Sequence, residues 1–338
     1  MSFKQLDPED FLISADSITA GAWSTGVPSL REFYTSSTQE AGTTGAYYLN
    51  IYQTGSNLPG AEVQFSIAFA NSNGSGSELF DAGIEGRSPT STLFGQWQNI
   101  VLGDENNQFT FGDVTPVTQS MYILSIERAR YKGSIFPGTL NLQLKDASDN
   151  ILELTDNSNE SSTIIFNEAG RVFQIISGSN GSAYSGQGYT TNSGSYGLFL
   201  PDVGTIILND SALREDFGVG GGIGLETSLD NDANNNRTLF QAISSSANFQ
   251  LNSQENITSD FVFIRARNAE YNYSENPSFS SGSTGEVTYT DFINSPQTFI
   301  TTVGLYNDTN ELLAVAKLSK PLKKDFTKEA LIRVKLDF

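Results

Sequence analysis

The chain has 338 residues, no Cys and no His, and a formal net charge of −19 from 38 acidic against 19 basic side chains. That composition excludes disulfides, zinc–thiolate and iron–sulfur sites, and nucleophile systems built on Ser-His-Asp or Cys-His, and its acidity opposes DNA or an anionic membrane as the main partner. With 23 Phe, 13 Tyr, 31 Gly and abundant Ser, Thr and Asn, it is the composition of strands and turns rather than of helices.

The first twenty residues read as an extended arm. Asp7-Pro8-Glu9-Asp10 suits a short helical turn, because Pro fits a first helical position, and Phe11, Ile13 and Ala15 then alternate with polar neighbours. The opening is charged and carries no apolar stretch of signal-peptide length, and no run approaches the roughly 20 residues of a membrane span. The expectation is a protein made in a cytoplasm and not exported by the usual route.

From Tyr47 the pattern is β. Tyr47 to Tyr52 form a short apolar strand that ends in the turn chemistry of Gly55 to Gly60. Val63, Phe65, Ile67 and Phe69 alternate strictly and share one face. Met121 to Tyr131 read as one long strand, Ser134 to Thr139 turn the chain, and Leu140, Leu142 and Leu144 return with perfect alternation. Short strands follow at 151–154, 163–166, 171–176 and 205–208, separated by acidic turns and by the Ser/Gly/Tyr-rich stretch 177–197. Helix candidates are Asp210 to Phe217, begun by an Asp cap, and Thr238 to Ile243. The end returns to β: Phe261 to Arg267 is a strand, 298–306 and 312–318 flank a turn as a hairpin, and Leu331 to Leu336 alternate apolar with charged.

Charge is uneven along the chain. Seven of the 19 basic residues lie between Lys317 and Lys335, with three acids in residues 317–338, so the first 316 residues hold 12 bases against 35 acids. A basic end on an acidic body reads either as a docking end or as an edge strand protected by Lys. Lys320, Lys323 and Lys324 are its contact candidates.

Other candidate sites are surface features. Tyr184, Tyr189 and Tyr196 recur at near-regular spacing in a polar loop, where aromatics stack on sugars or anchor a partner; the bland alternative is a loop packing its own Tyr side chains on the sheet. Arg128 and Arg130 fall on one strand face, as do Arg265 and Arg267, and either pair with carboxylates or meet a neighbouring subunit. The shared Arg-Ala-Arg is either a weak internal echo of two sandwich modules or chance. Leu229 to Asn236 offer alternate oxygen ligands like a calcium loop. They lack the central Gly, and Gln241 stands where a bidentate Glu is needed, so the segment reads as a solvated turn. Two carboxylates alone can run glycoside hydrolysis, but no local motif selects a pair. No cofactor and no metal is expected.

At the C-terminal end the residues become specific. Phe261 to Phe279, Thr301 to Asp308 with Glu311 to Pro321, and Lys328 to Phe338 resemble segments of virion structural proteins of T-even-like myoviruses, especially those infecting marine cyanobacteria. Phe3 to Phe11, Gly103 to Asn106 and Gly188 to Gly197 are similar to further pieces of the same proteins. The resemblance implies a virion component of a contractile-tailed phage. Its preferred position is the tail or baseplate; neck and capsid surface remain open. Its partners would be other virion proteins and copies of itself, with a host surface glycan as a further ligand.

The expected fold is all-β: mainly antiparallel, sandwich-like domains with a few short helices. Expected divisions are 1–145, an N-terminal β domain with an extended arm; 146–220, a Ser/Gly/Tyr-rich middle domain; and 221–338, a C-terminal β domain with a basic tail. First and last strands sharing one sheet would break this division. The expected function is a non-enzymatic, multimeric structural part of the tail or baseplate. The alternatives are a receptor- or glycan-binding module and a neck- or capsid-decorating protein.

Overall fold

The structure, a computed structural model, describes residues 4–35, 48–74, 88–104, 106–112, 118–160, 164–184, 194–214, 222–225, 234–274, 277–281 and 285–337. It is mostly antiparallel β-sheet, 46% strand against 16% helix. The principal strands in chain order are β1 (Phe11–Gly21), β2 (Tyr48–Tyr52), β3 (Val63–Asn71), β4 (Ser120–Ile126), β5 (Asn141–Lys145), β6 (Ile151–Asp156), β7 (Ile165–Asn167), β8 (Gly170–Ser179), β9 (Gly197–Leu200), β10 (Thr205–Asn209), β11 (Asn252–Ala266), β12 (Thr298–Tyr306), β13 (Leu312–Lys324) and β14 (Ala330–Asp337). The helices are α1 (Pro89–Leu102), α2 (Asp210–Arg214), α3 (Asn234–Ser246) and α4 (Asp291–Asn294).

The chain divides into two compact units: Ile18–Glu255, and Met1–Ser17 together with Asn256–Phe338. This differs from divisions near 145 and 220. Both of those positions fall within one unit, where β5 turns directly into its partner β6 and β10 runs into α2.

In the 18–255 unit one sheet runs in the order Ser29–Leu30, Phe249–Gln250, β5, β6, β8, β9, β10, β4, β3, β2, Tyr34–Thr35. Its two ends are separated in sequence only by residues 31–33. Four peptide steps span at most about 14 Å, so the sheet must curl back on itself. The enclosed space is filled by Trp23, Phe65, Phe69, Tyr122, Leu124, Ile126, Phe199, Ile206, Leu208 and Phe249, with Leu239, Ala242 and Ile243 of α3. Phe249 meets Trp23 and Phe65 edge to face, at 5.0 Å and 5.2 Å. The Trp23 indole N–H is satisfied by the carbonyls of Pro28 and Phe249.

The central strands are buried on both faces, which explains their nearly unbroken apolar runs. Met121 and Ile123 of β4, Leu198 and Leu200 of β9, and Ile207 of β10 point outward, where Phe94 of α1, Phe109 and Phe111 cover them. Helix α1 starts at a Ser88 cap that accepts the Ser91 N–H, with Pro89 in its first turn. It stops at Gly103, whose φ of 74° suits a residue without Cβ. Helix α2 begins at Asp210, one residue after the capping side chain: Asn209 Oδ1 accepts the Ser211 N–H.

In the other unit β11 lies between β1 and β14, so the first and last strands do share a sheet. Val262 faces Val334, and Ala266 faces Ala330. Strands β12 and β13 form a separate two-stranded hairpin, closed by Asn307 to Glu311 as the turn residues indicate. Among the described residues no helix is long and apolar enough to cross a membrane.

Candidate interaction surface

The unit made of Met1–Ser17 and Asn256–Phe338 has its burial inverted. Of the 48 buried apolar residues of the described chain it holds four: Val262, Ala266, Ala330 and Val334. Of the 24 large apolar side chains that are exposed it holds thirteen, among them Phe11, Leu12, Ile13, Phe299, Leu312, Leu313, Val315 and Leu331. Fully burying such a side chain contributes about 1.5–3 kcal/mol. A segment this strand-rich and this poor in core leaves that stabilisation unrealised within itself.

The hairpin carries the densest share. Leu313 is 68% exposed, Val315 58% and Phe299 61%. Consecutive apolar residues in β13 send side chains to both faces, and among the described residues no third strand pairs with this two-stranded sheet. This was readable in Leu312-Leu313-Ala314-Val315-Ala316, a run with no polar alternation.

The basic candidates divide. Lys320 and Lys323 are exposed on β13, whereas Lys324 is fully buried. Its ammonium donates to the carbonyl of Asn268 at 2.9 Å, the side-chain oxygen of Asn272 at 2.9 Å and the carbonyl of Asp325 at 3.0 Å. Three donors meet three neutral acceptors, which is the complement a Lys can use. Asn272 is itself buried. Lys324 therefore ties the end of the hairpin to the loop after β11.

The arginines do not share strand faces in the expected way. Strand β4 ends at Ile126, and Arg128–Arg130 form a 3-10 turn. The cause is local: the Arg130 N–H bonds back to the Glu127 carbonyl, and the Arg128 guanidinium caps the carbonyls of Tyr131 and Lys132 while lying 4.6 Å over the Tyr131 ring. Arg130 pairs with Glu62 at 2.5 Å. Arg265 is the penultimate residue of β11 and Arg267 lies just beyond it; both are exposed. The Arg265 carbonyl and the Glu270 carboxylate hold the Lys4 ammonium. The two Arg-Ala-Arg segments thus adopt different structures.

Of the three tyrosines two lie in the described residues. Tyr196 is partly buried against the main core. Tyr184 is 39% exposed and its hydroxyl donates to the Glu153 carboxylate. Partial desolvation, then that carboxylate, push its phenol up to about 12. Tyr189 lies outside the described residues, as do residues 229–233 of the calcium-like segment.

Elsewhere the charged groups are used in holding the fold. Burial raises the Asp202 carboxyl, but hydrogen bonds from the Arg171 guanidinium and backbone N–H outweigh it and hold it below the usual range. Asp156 is buried and accepts the backbone N–H groups of Gly138 and Ser158, yet desolvation raises its pKa. A shallow cleft beside α1 is lined by Thr92, Gln96, Asn99 and Asp104 among others, Asp104 being the carboxylate among its described residues. Among the described residues no three acidic side chains gather as a metal site. Comparison with family models, curated proteins and solved structures returned no match.

Proposed function

We propose that the chain is a non-enzymatic structural protein of a contractile-tailed phage particle, assembling in several copies as part of the tail or baseplate. The observation that carries the assembly reading is the inverted burial of the unit formed by the two chain ends. Among its described residues four small or medium apolar side chains are buried, while thirteen large ones are exposed. Exposed apolar surface on this scale marks an interaction site, and a unit without its own core gains stability by burying its strands against a neighbour. The segments that support the virion reading, 261–279, 301–308, 311–321 and 328–338, make up about half of that unit.

A receptor- or glycan-contact role draws support from Tyr184, a half-exposed ring beside the Glu153 carboxylate and the Asn141 amide. Tyr196 is instead partly buried against the core, so assembly is the stronger reading. Mass spectrometry of particles purified through two density gradients tests the proposal. The chain is expected at a fixed copy ratio to the other particle proteins. Its presence only in the soluble lysate would defeat the virion reading.

A further inference from the structure

We infer that the β12–β13 hairpin of one copy docks on the Ile18–Glu255 unit of a second copy, along the exposed strand β7, and does not pair with the same hairpin of its neighbour. The inference deepens the assembly reading and rests on it.

The hairpin is built to be covered. It is a sheet of two strands, a form that is marginal alone in water, and it exposes Phe299, Tyr306, Leu312, Leu313 and Val315. Long apolar edges of this kind accept another strand.

Its charge selects the partner. Lys317, Lys320 and Lys323 are exposed on β13, and none of them forms an ion pair among the described residues. Residues 312–335 hold seven bases against two acids. Antiparallel pairing of two β13 edges would bring these lysines against one another, and like charges directly opposed destabilise a strand pair. The lysines therefore oppose the symmetric contact and favour an acidic counterpart. Residues 18–255 supply one, with 24 acids against nine bases.

Within that unit β7 has the matching form. It pairs with one strand only, β8, among the described residues. Ile164, Ile165 and Phe166 are 49%, 56% and 69% exposed, the longest consecutive run of exposed large apolar side chains in this unit. Glu160 precedes this run and Glu168 follows it, both exposed. Glu160 accepts the Ala183 N–H at 3.0 Å through one oxygen, and a carboxylate has capacity for further donors. An apolar centre with an acid on either side complements a strand whose apolar half, Leu312 to Val315, runs into Lys317 and Lys320. Each copy carries both surfaces, so the contact closes as a reciprocal pair or continues as a ring or array, according to the rotation between copies.

Sedimentation velocity of the full-length protein, over a concentration series at low and high salt, tests this with two sets of charge reversals. Lys317→Glu with Lys320→Glu and Lys323→Glu is expected to weaken self-association about tenfold or more. Glu160→Lys with Glu168→Lys is expected to do the same. A mixture of the two variants, each supplying the other's reversed surface, is expected to recover most of the lost association, which misfolding of either would not allow. A wild-type monomer at every concentration, or no recovery in the mixture, would overturn the docking. So would loss of the hairpin variant from particles with its self-association intact, because the hairpin would then serve a different protein; the virion reading would survive. Absence of the wild-type chain from particles would instead defeat that reading, whatever the sedimentation result.

Discussion

Replacing Lys324 by Met probes a place where the end-derived unit is closed by a polar interior. The ammonium is fully buried and reaches three oxygens at 2.9, 2.9 and 3.0 Å. Met matches the stem but donates nothing, leaving one buried acceptor, at a cost of about 1–3 kcal/mol, and two part-buried ones that cost less. Releasing a buried ammonium from its own desolvation penalty offsets part of that. The expected net loss is about 2–4 kcal/mol. Amide hydrogen exchange on the full-length protein reads it locally: peptides covering 265–274 and 320–337 should exchange about 30- to 1,000-fold faster, if opening of this unit limits exchange. Lys323→Met, at the exposed neighbour, should change little, within about 0.5 kcal/mol. Equal exchange in Lys324→Met and wild type would show that the three contacts do not hold the unit closed.

Three further outcomes are expected. Phe249→Ala empties the aromatic junction with Trp23 and Phe65 and should cost about 3–5 kcal/mol by denaturant unfolding; a loss under about 1 kcal/mol would mean that the curled sheet is not packed around this ring. Gly170→Ala should destabilise the β7–β8 turn, since its φ is +96° and an added Cβ would lie 2.4 Å from an Asp202 carboxylate oxygen; unchanged melting would contradict that backbone. Acid should loosen the end-derived unit. Hydrogen bonds from the Arg267 backbone and Lys4 hold Glu270 below its ordinary value, and Ser259 and Lys335 do the same for Asp337. A depressed carboxylate contributes stability above its ordinary pKa and loses it as pH falls through the depressed value, so the effect appears below about pH 4. Asp156 in the other unit has the opposite sign, because its raised pKa favours the protonated form in the fold. Asp202 in that unit is depressed and acts in the same direction as Glu270 and Asp337, so the test is local to the end-derived unit: exchange in 256–337 should rise below about pH 4, and exchange there that stays flat would contradict the assignment.

What the sequence revealed follows how local the signal was. The β12–β13 hairpin was legible because two apolar runs flank Asn307-Asp308-Thr309-Asn310, and Asn307 closes the turn through its own side chain. Strand β4 was read five residues too long, because Ala129 and Tyr131 prolong the apolar pattern while Arg128 folds back over Tyr131. Helix α1 drew no expectation, although Ser88-Pro89 and Gly103 bracket Leu93, Phe94, Trp97, Ile100 and Val101 at helical spacing. A unit assembled from both chain ends leaves no boundary in composition, so a linear scan divided the chain at loops instead. Lys324 looked like one more member of a basic end, since its partners Asn268 and Asn272 stand 56 and 52 residues away.

The central claim is that the strands at the two chain ends become covered when copies assemble. Hydrogen exchange of the full-length chain, compared between its lowest-concentration free form and the assembled particle, addresses it directly. Strong new protection is expected across 298–324 and at 164–168, with little change inside the curled sheet at 120–126 and 205–209. Equal exchange in the two states across 298–324 would contradict the account.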